Sequence, residues 1–127
     1  MISEGKVMGF IPTTDAVRAR GFYEDLLGLH VVSDDAFALV VESQGTFIRI
    51  TKVDKLTPAP YTILGWRVDD IEQEVETLLA GGVTFRHYPG LPQTDLGVWT
   101  APGGSKIAWF EDPDGNLLSL SQHPEDK

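Results

Sequence analysis

Apolar positions along this chain change period twice, in the same order each time. Residues 6–13 form an apolar-rich extended run, and Thr14-Asp15 then reads as a helix start. Asp15 is the candidate N-cap, because a short acidic side chain can accept from the free N–H groups of a first turn. Ala19, Phe22, Tyr23 and Leu26 follow at helical spacing on one face, and Gly28 is placed to end that helix. Residues 29–33, 36–42 and 46–52 carry strand patterning, with Asp34-Asp35 and Gln44-Gly45 as turns.

The second half repeats the order. Residues 61–68 read as a strand, and Asp70 opens a helix with Gln73 three positions on, close to a capping box. Ile71, Val75, Leu78 and Leu79 share one helical face, and Gly81-Gly82 stops it. Residues 83–88, 105–111 and 116–122 are predicted strands, with 98–101 a short additional one. Between the halves, residues 53–60 contain Pro58-Ala59-Pro60, a stiff linker that neither a helix nor a central strand accepts. The pattern is β-α-β-β-β written twice. It predicts an α+β domain over 1–127, with module one at about 5–52, linker 53–60, module two at about 61–122 and a flexible tail at 123–127. Setting Asp15 on Asp70 matches Met8 with Ile63, and setting Gly45 on Gly115 matches Arg49 with Ser119.

Composition narrows the partners. At 127 residues the chain is one ordinary domain, and its 42% hydrophobic content suffices for a core. Ten Lys and Arg against nineteen Asp and Glu give a net charge of −9, which repels phosphate backbones and anionic lipid. Neither nucleic acid nor a membrane is expected as a partner. The absence of cysteine removes disulfides, thiolate metal sites and cysteine nucleophiles together. The first residues show no basic segment followed by an apolar run, so a soluble, cytoplasmic protein is expected.

Two strings carry a resemblance. Phe22-Tyr23-Glu24-Asp25-Leu26-Leu27-Gly28-Leu29 lies in the first module, and Trp109-Phe110-Glu111-Asp112-Pro113-Asp114-Gly115-Asn116-Leu117-Leu118 in the second. Both resemble the vicinal oxygen chelate superfamily, which holds glyoxalase I, extradiol dioxygenases, and fosfomycin- and bleomycin-resistance proteins. Physically, Asp-Pro-Asp-Gly-Asn is a hairpin turn and Phe22 and Tyr23 are core positions of a helix, so the motifs speak for the fold and not for an activity. The resemblance covers roughly residues 5–122 and implies tandem βαβββ modules forming a curved mixed sheet around a cup. It also implies a homodimer.

Metal-dependent members of that superfamily take ligands from the first and last strands of each module. The matching positions here are Met8, Arg49, Ile63 and Ser119, where the resemblance would ask for His, Gln or Glu. A thioether, a guanidinium, an alkyl chain and a hydroxyl make a poor set for a hard or borderline divalent cation. A one-residue slip brings in Val7, Gly9, Thr62, Leu64, Leu118 or Leu120, which are no better. His30, His87 and His123 share no ligand spacing. No metal and no cofactor are therefore expected.

Period-two alternation then fixes which residues share the cup face. Met8 brings Phe10, Arg49 brings Phe47, Ile63 brings Tyr61 and Arg67, and Ser119 completes the set as candidate ligand-binding residues. Ile11, Ile48, Ile50, Leu64, Trp66, Val68, Leu118 and Leu120 fall on the opposite, helix-facing side, and Trp109 is expected in the core. A guanidinium among apolar side chains needs an anion: Glu42, Asp34 or another carboxylate of the chain, or a ligand carboxylate or phosphate. No dinucleotide, phosphate-loop, EF-hand or nucleophile-elbow spacing occurs. The expected function is metal-free binding of a small organic molecule. The alternatives are a lyase, isomerase or dioxygenase with displaced ligands or with Arg49 as electrophile, and a structural or regulatory partner domain. No catalytic residue can be assigned from sequence. The acidic surface suits a cationic ligand and Arg49 an anionic one.

Overall fold

The alternating segments become hydrogen-bonded ladders in two separate sheets. The structure is a computed structural model that describes residues 1–124, and the chain divides into two units between Thr57 and Pro58. In the first unit, β1 (Met8–Thr13) precedes α1 (Ala16–Arg20), which runs into a π-helical turn over Gly21–Leu26. β2 (His30–Asp34), β3 (Ala38–Ser43) and β4 (Thr46–Lys52) follow. In the second unit the order is β5 (Leu64–Arg67), α2 (Ile71–Ala80), β6 (Trp99–Thr100), β7 (Lys106–Glu111) and β8 (Leu117–Gln122). Both sheets have the same topology, β1-β4-β3-β2 and β5-β8-β7-β6. In each, the first strand runs parallel to the last and the remaining pairs are antiparallel.

One face of each sheet is closed by its helix. Ile11, Leu39, Val41, Ile48 and Ile50 are buried on the first sheet, together with Ala19, Phe22 and Tyr23 of the helical segment. On the second sheet Ala108, Phe110, Leu118 and Leu120 are buried with Ile71, Val75 and Leu78 of α2. Phe110 is the centre of that core, stacked 6.5 Å from Trp66 and with the Phe85 ring tilted against it at 5.2 Å. Both predicted caps form: Asp15 accepts from the Arg18 N–H at 3.1 Å, and Asp70 from the Gln73 N–H at 3.2 Å. Gln122, at the end of β8, satisfies a further free donor of α2, the Ile71 N–H, at 2.9 Å.

Several elements differ from the sequence pattern for identifiable reasons. The helix after Asp15 widens into π geometry, with the Leu27 N–H bonded to the Phe22 carbonyl at 3.0 Å. The wider turn rotates Leu26 off the buried face, so Leu26 is exposed while Phe22 and Tyr23 are buried. β3 starts at Ala38 because the Asp35 carboxylate holds the Phe37 and Ala38 N–H groups at 2.8 and 3.0 Å in a turn. β2 carries a bulge between Val31 and Ser33. The strand expected at 83–88 is reduced to a single bridge, Phe85 to Phe110, plus the Arg86 N–H to the Trp109 carbonyl. Farther along, Trp99 and Thr100 take over as partners of Ile107 and Lys106. The predicted tail divides: His123 is hydrogen-bonded to Ser105 and Ser121, whereas 125–127 lie outside the described residues.

Candidate functional site

On the first sheet β4 lies between β1 and β3, which fixes what surrounds its side chains. Arg49 is opposite Phe10 on one side and Val40 on the other, and Phe47 is opposite Met8 and Glu42. Alternation therefore gathers Met8, Phe10, Phe47 and Arg49 on the face turned away from the helix. Met8, Phe10 and Phe47 are 38%, 65% and 41% exposed, high values for a sheet face carrying this much apolar surface. Arg49 is half-buried among them. At the β1 end, a hollow of about 200 Å³ is lined by Lys6, Val7, Met8, Gly45 and Phe47.

The charges around this face are largely committed elsewhere. Asp34 receives Arg20 at 3.1 Å and Lys52 at 3.6 Å, and Glu24 holds the other side of Arg20 at 3.0 Å. Glu24 first, and then Asp34, push the Arg20 pKa further up. Asp35 is held below its ordinary carboxylate value, chiefly by the Phe37 N–H and then the Ala38 N–H, with smaller help from the Arg49 and Lys52 charges. Glu42 sits opposite His30 across β2 and β3. Of the internal partners expected for Arg49, neither Glu42 nor Asp34 reaches it. Among the described residues no carboxylate oxygen comes within 4.0 Å of its guanidinium.

The second sheet presents a different surface. Ser119 lies between Gly65 and Trp109, and Ser121 between Arg67 and Ile107. Gly65, Arg67, Ser119, Ser121 and Trp109 therefore share the face away from α2. Trp109, expected in the core, instead stands on this face, half-buried, with Tyr88 edge-on at 5.4 Å and Trp99 stacked at 6.2 Å. The strand Lys106–Glu111 is apolar on both sides, so alternation alone could not choose which of Trp109 and Phe110 turns inward. Ile63 precedes β5 but joins its ladder through the Ile63 N–H to the Leu117 carbonyl at 3.0 Å. Tyr61 lies ahead of the strand and is 65% exposed.

Gln93 organises the loop beside this aromatic cluster, a role without any sequence signal. Its Oε1 accepts the Tyr88 N–H at 2.7 Å, and its Nε2 donates to the Arg86 and Gly97 carbonyls at 2.9 and 2.8 Å. The Tyr88 N–H and the Arg86 carbonyl are backbone groups a strand over 83–88 would have offered to a neighbour, and Gln93 takes both. Nearby, His123 links Ser105 at 3.3 Å and Ser121 at 3.0 Å.

The four positions that the resemblance matches to metal ligands carry other chemistry. Met8 offers a soft thioether, Arg49 a permanent cation, Ile63 no lone pair and Ser119 a neutral hydroxyl. Among the described residues no three His, Asp or Glu side chains gather in a metal-sized cluster.

Comparison with known proteins agrees with the observed topology. Residues 6–120 match the family model of the Glyoxalase/Bleomycin resistance protein/Dioxygenase superfamily. Among solved structures, a member of that superfamily from Sphaerobacter thermophilus is 26% identical, with a TM-score of 0.74 over 97% of this chain and 100% of the other. A bleomycin resistance determinant encoded on the transposon Tn5 is 22% identical, with a TM-score of 0.73 over 94% and 98%. TnmS3, an antibiotic binding protein from Streptomyces sp. CB03234, is 23% identical, with a TM-score of 0.70 over 97% and 98%. No curated protein matches this sequence significantly.

Proposed function

Since this chain belongs to the Glyoxalase/Bleomycin resistance protein/Dioxygenase superfamily, we propose that it binds a small organic molecule reversibly and without a metal, as a sequestering protein. The observation that carries this reading is the replacement, on the open sheet faces, of metal donors by apolar and aromatic surface. Met8 and Phe10, with Phe47 and Arg49, form one such surface, and Trp99, Trp109 and Tyr88 form another. Concave or exposed apolar surface with a few polar groups is what small-molecule recognition uses. The likeness to a bleomycin resistance determinant and to an antibiotic binding protein supports non-catalytic binding as the mode. A homodimer is part of the proposal, because Val32 on β2 and Phe37 in the turn ahead of β3 are also exposed apolar residues.

Elemental analysis of the purified protein, beside thermal shift with Mn²⁺, Fe²⁺, Ni²⁺ and Zn²⁺, tests the metal-free part. A site that binds the native state raises the melting temperature by mass action. No metal and no shift are expected; stoichiometric metal, or a saturable rise in Tm, refutes it. Light scattering after size exclusion tests the dimer, and a monomeric mass at micromolar concentration refutes that.

A further inference from the structure

We propose that the molecule bound on the first sheet is an amphipathic anion, its carboxylate, sulfonate or phosphate held by Arg49 and its apolar body lying on Met8, Phe10 and Phe47. This rests on the reading that the open face binds a small organic molecule, and it names the chemical class. The reason is an asymmetry among the cations. Three Lys or Arg side chains of the described residues are half-buried: Arg20, Arg49 and Lys106. Arg20 is paired with Glu24 and Asp34, and Lys106 with Glu72 at 2.7 Å. Arg49 has no carboxylate within ion-pair distance among the described residues, although it stands on the central strand between Phe10 and Val40.

A guanidinium partly withdrawn from water gains most from an oxyanion that presents two oxygens to its parallel N–H donors. The nearby carboxylates do not pair with it, Asp35 acting on it only at longer range. Asp34 is held by Arg20 and Lys52, and Asp35 faces its own turn amides. An inorganic anion would satisfy the charge but leave Phe10 and Phe47 uncovered. A neutral apolar molecule would cover the rings but strip water from Arg49 without replacing it, which costs free energy. Only a molecule with both parts answers both features. The overall charge of −9 opposes long-range attraction of an anion, so affinity must come from the local contact.

Two probes separate the parts. 8-Anilinonaphthalene-1-sulfonate carries a sulfonate, and N-phenyl-1-naphthylamine is the same ring system without it. Both are titrated by fluorescence into the full chain and into R49Q, R49K and F10S, each checked for folding by circular dichroism. The expected result is saturable sulfonate binding that weakens about tenfold or more in R49Q. R49K should restore part of it, having the charge but not the fork. The neutral probe should bind the native protein more weakly and be indifferent to R49Q, and F10S should weaken both. Equal binding of the two probes, unchanged by R49Q, overturns the anion assignment and leaves organic-molecule binding standing. Binding of neither probe overturns the reading of the face itself, and the assignment with it.

Discussion

Gly65 offers the sharpest test of the second sheet, because its missing side chain has a measurable neighbour. A Cβ built there would lie 2.8 Å from the Ser119 Oγ and 3.3 Å from the Ser119 carbonyl oxygen. The backbone at Gly65 is not in the positive-φ region, so Gly65→Ala introduces crowding and not torsional strain. The nearer contact can be relieved by rotating the Ser119 hydroxyl, a short and mobile group. The farther one cannot, since residue 119 is held in the ladder opposite Trp109. Overpacking of this kind costs about 1–3 kcal/mol, and reduced freedom of the unfolded chain returns about 0.4–1 kcal/mol. The net expectation is a loss of about 1 kcal/mol, seen as a fall of about 0.5 M in the urea midpoint with an unchanged slope. Ser119→Ala removes the Oγ and keeps the carbonyl, so Gly65→Ala made in that background should still cost most of this, less only what rotating the hydroxyl costs. A double-mutant cycle by urea unfolding measures the difference. No cost in either background, or a cost that disappears entirely with the Oγ, would refute the close approach of β5 to the backbone of residue 119.

Other perturbations probe other parts. Gln93→Ala removes three hydrogen bonds from the loop at 86–97 and should lower stability by about 1.5–3 kcal/mol by thermal unfolding, with a shift in tryptophan emission as Trp99 and Trp109 loosen. Gln93→Glu keeps the acceptor for Tyr88 but loses both donors and should fall between; a Gln93→Ala protein with unchanged Tm and emission contradicts the latch. Phe110→Ala empties the centre of the second core and should cost about 3–5 kcal/mol in the same assay, whereas a loss below that of a surface substitution would count against its central placement. Asp35 is stabilised as a carboxylate in the folded state, so its contribution is present above its ordinary 3.8 and fades as pH falls below that, through the lowered value. Asp35→Ala should therefore be less stable than the native protein at neutral pH, with the gap closing in acid; a gap that stays constant with pH argues against the turn-amide contacts.

Much of this arrangement was legible in residue spacing, and the exceptions share a cause. Asp15 and Asp70 cap helices as their position before an apolar stripe predicts, and the two faces of β1, β4, β5 and β8 sort as alternation requires. Gly45 and Gly115 mark turns where φ is positive, at 83° and 86°. What escaped depended on long-range contacts or on local hydrogen bonding that no period encodes. Trp109 needed the register against Ser119, and the lost strand at 83–88 needed the side chain of Gln93, five residues beyond Tyr88. The π turn that exposes Leu26 leaves no trace in hydrophobic spacing, because that spacing was consistent with an ordinary helix. Arg49 was legible as a cation on an apolar face. That no carboxylate of the described residues comes within ion-pair distance of it was not, because Glu42 lies on the same face and only the structure separates proximity from pairing.

The bulge in β2 and the brevity of β6 bear on how the protein survives crowding. A sheet's outer strand exposes a row of unused amides and carbonyls that can recruit another chain and seed fibrils. β2 forms the rim of the first sheet, and its bulge between Val31 and Ser33 breaks the even spacing that an incoming strand would need. β6 forms the rim of the second sheet and offers only Trp99 and Thr100 before the chain turns at 101–104. On the far side of the first sheet, β1 carries Pro12, which contributes no amide hydrogen at all. Each of these three rims is thus blunted by a different device, so Phe10 and Phe37 stand exposed beside rims that do not invite strand-to-strand polymerisation.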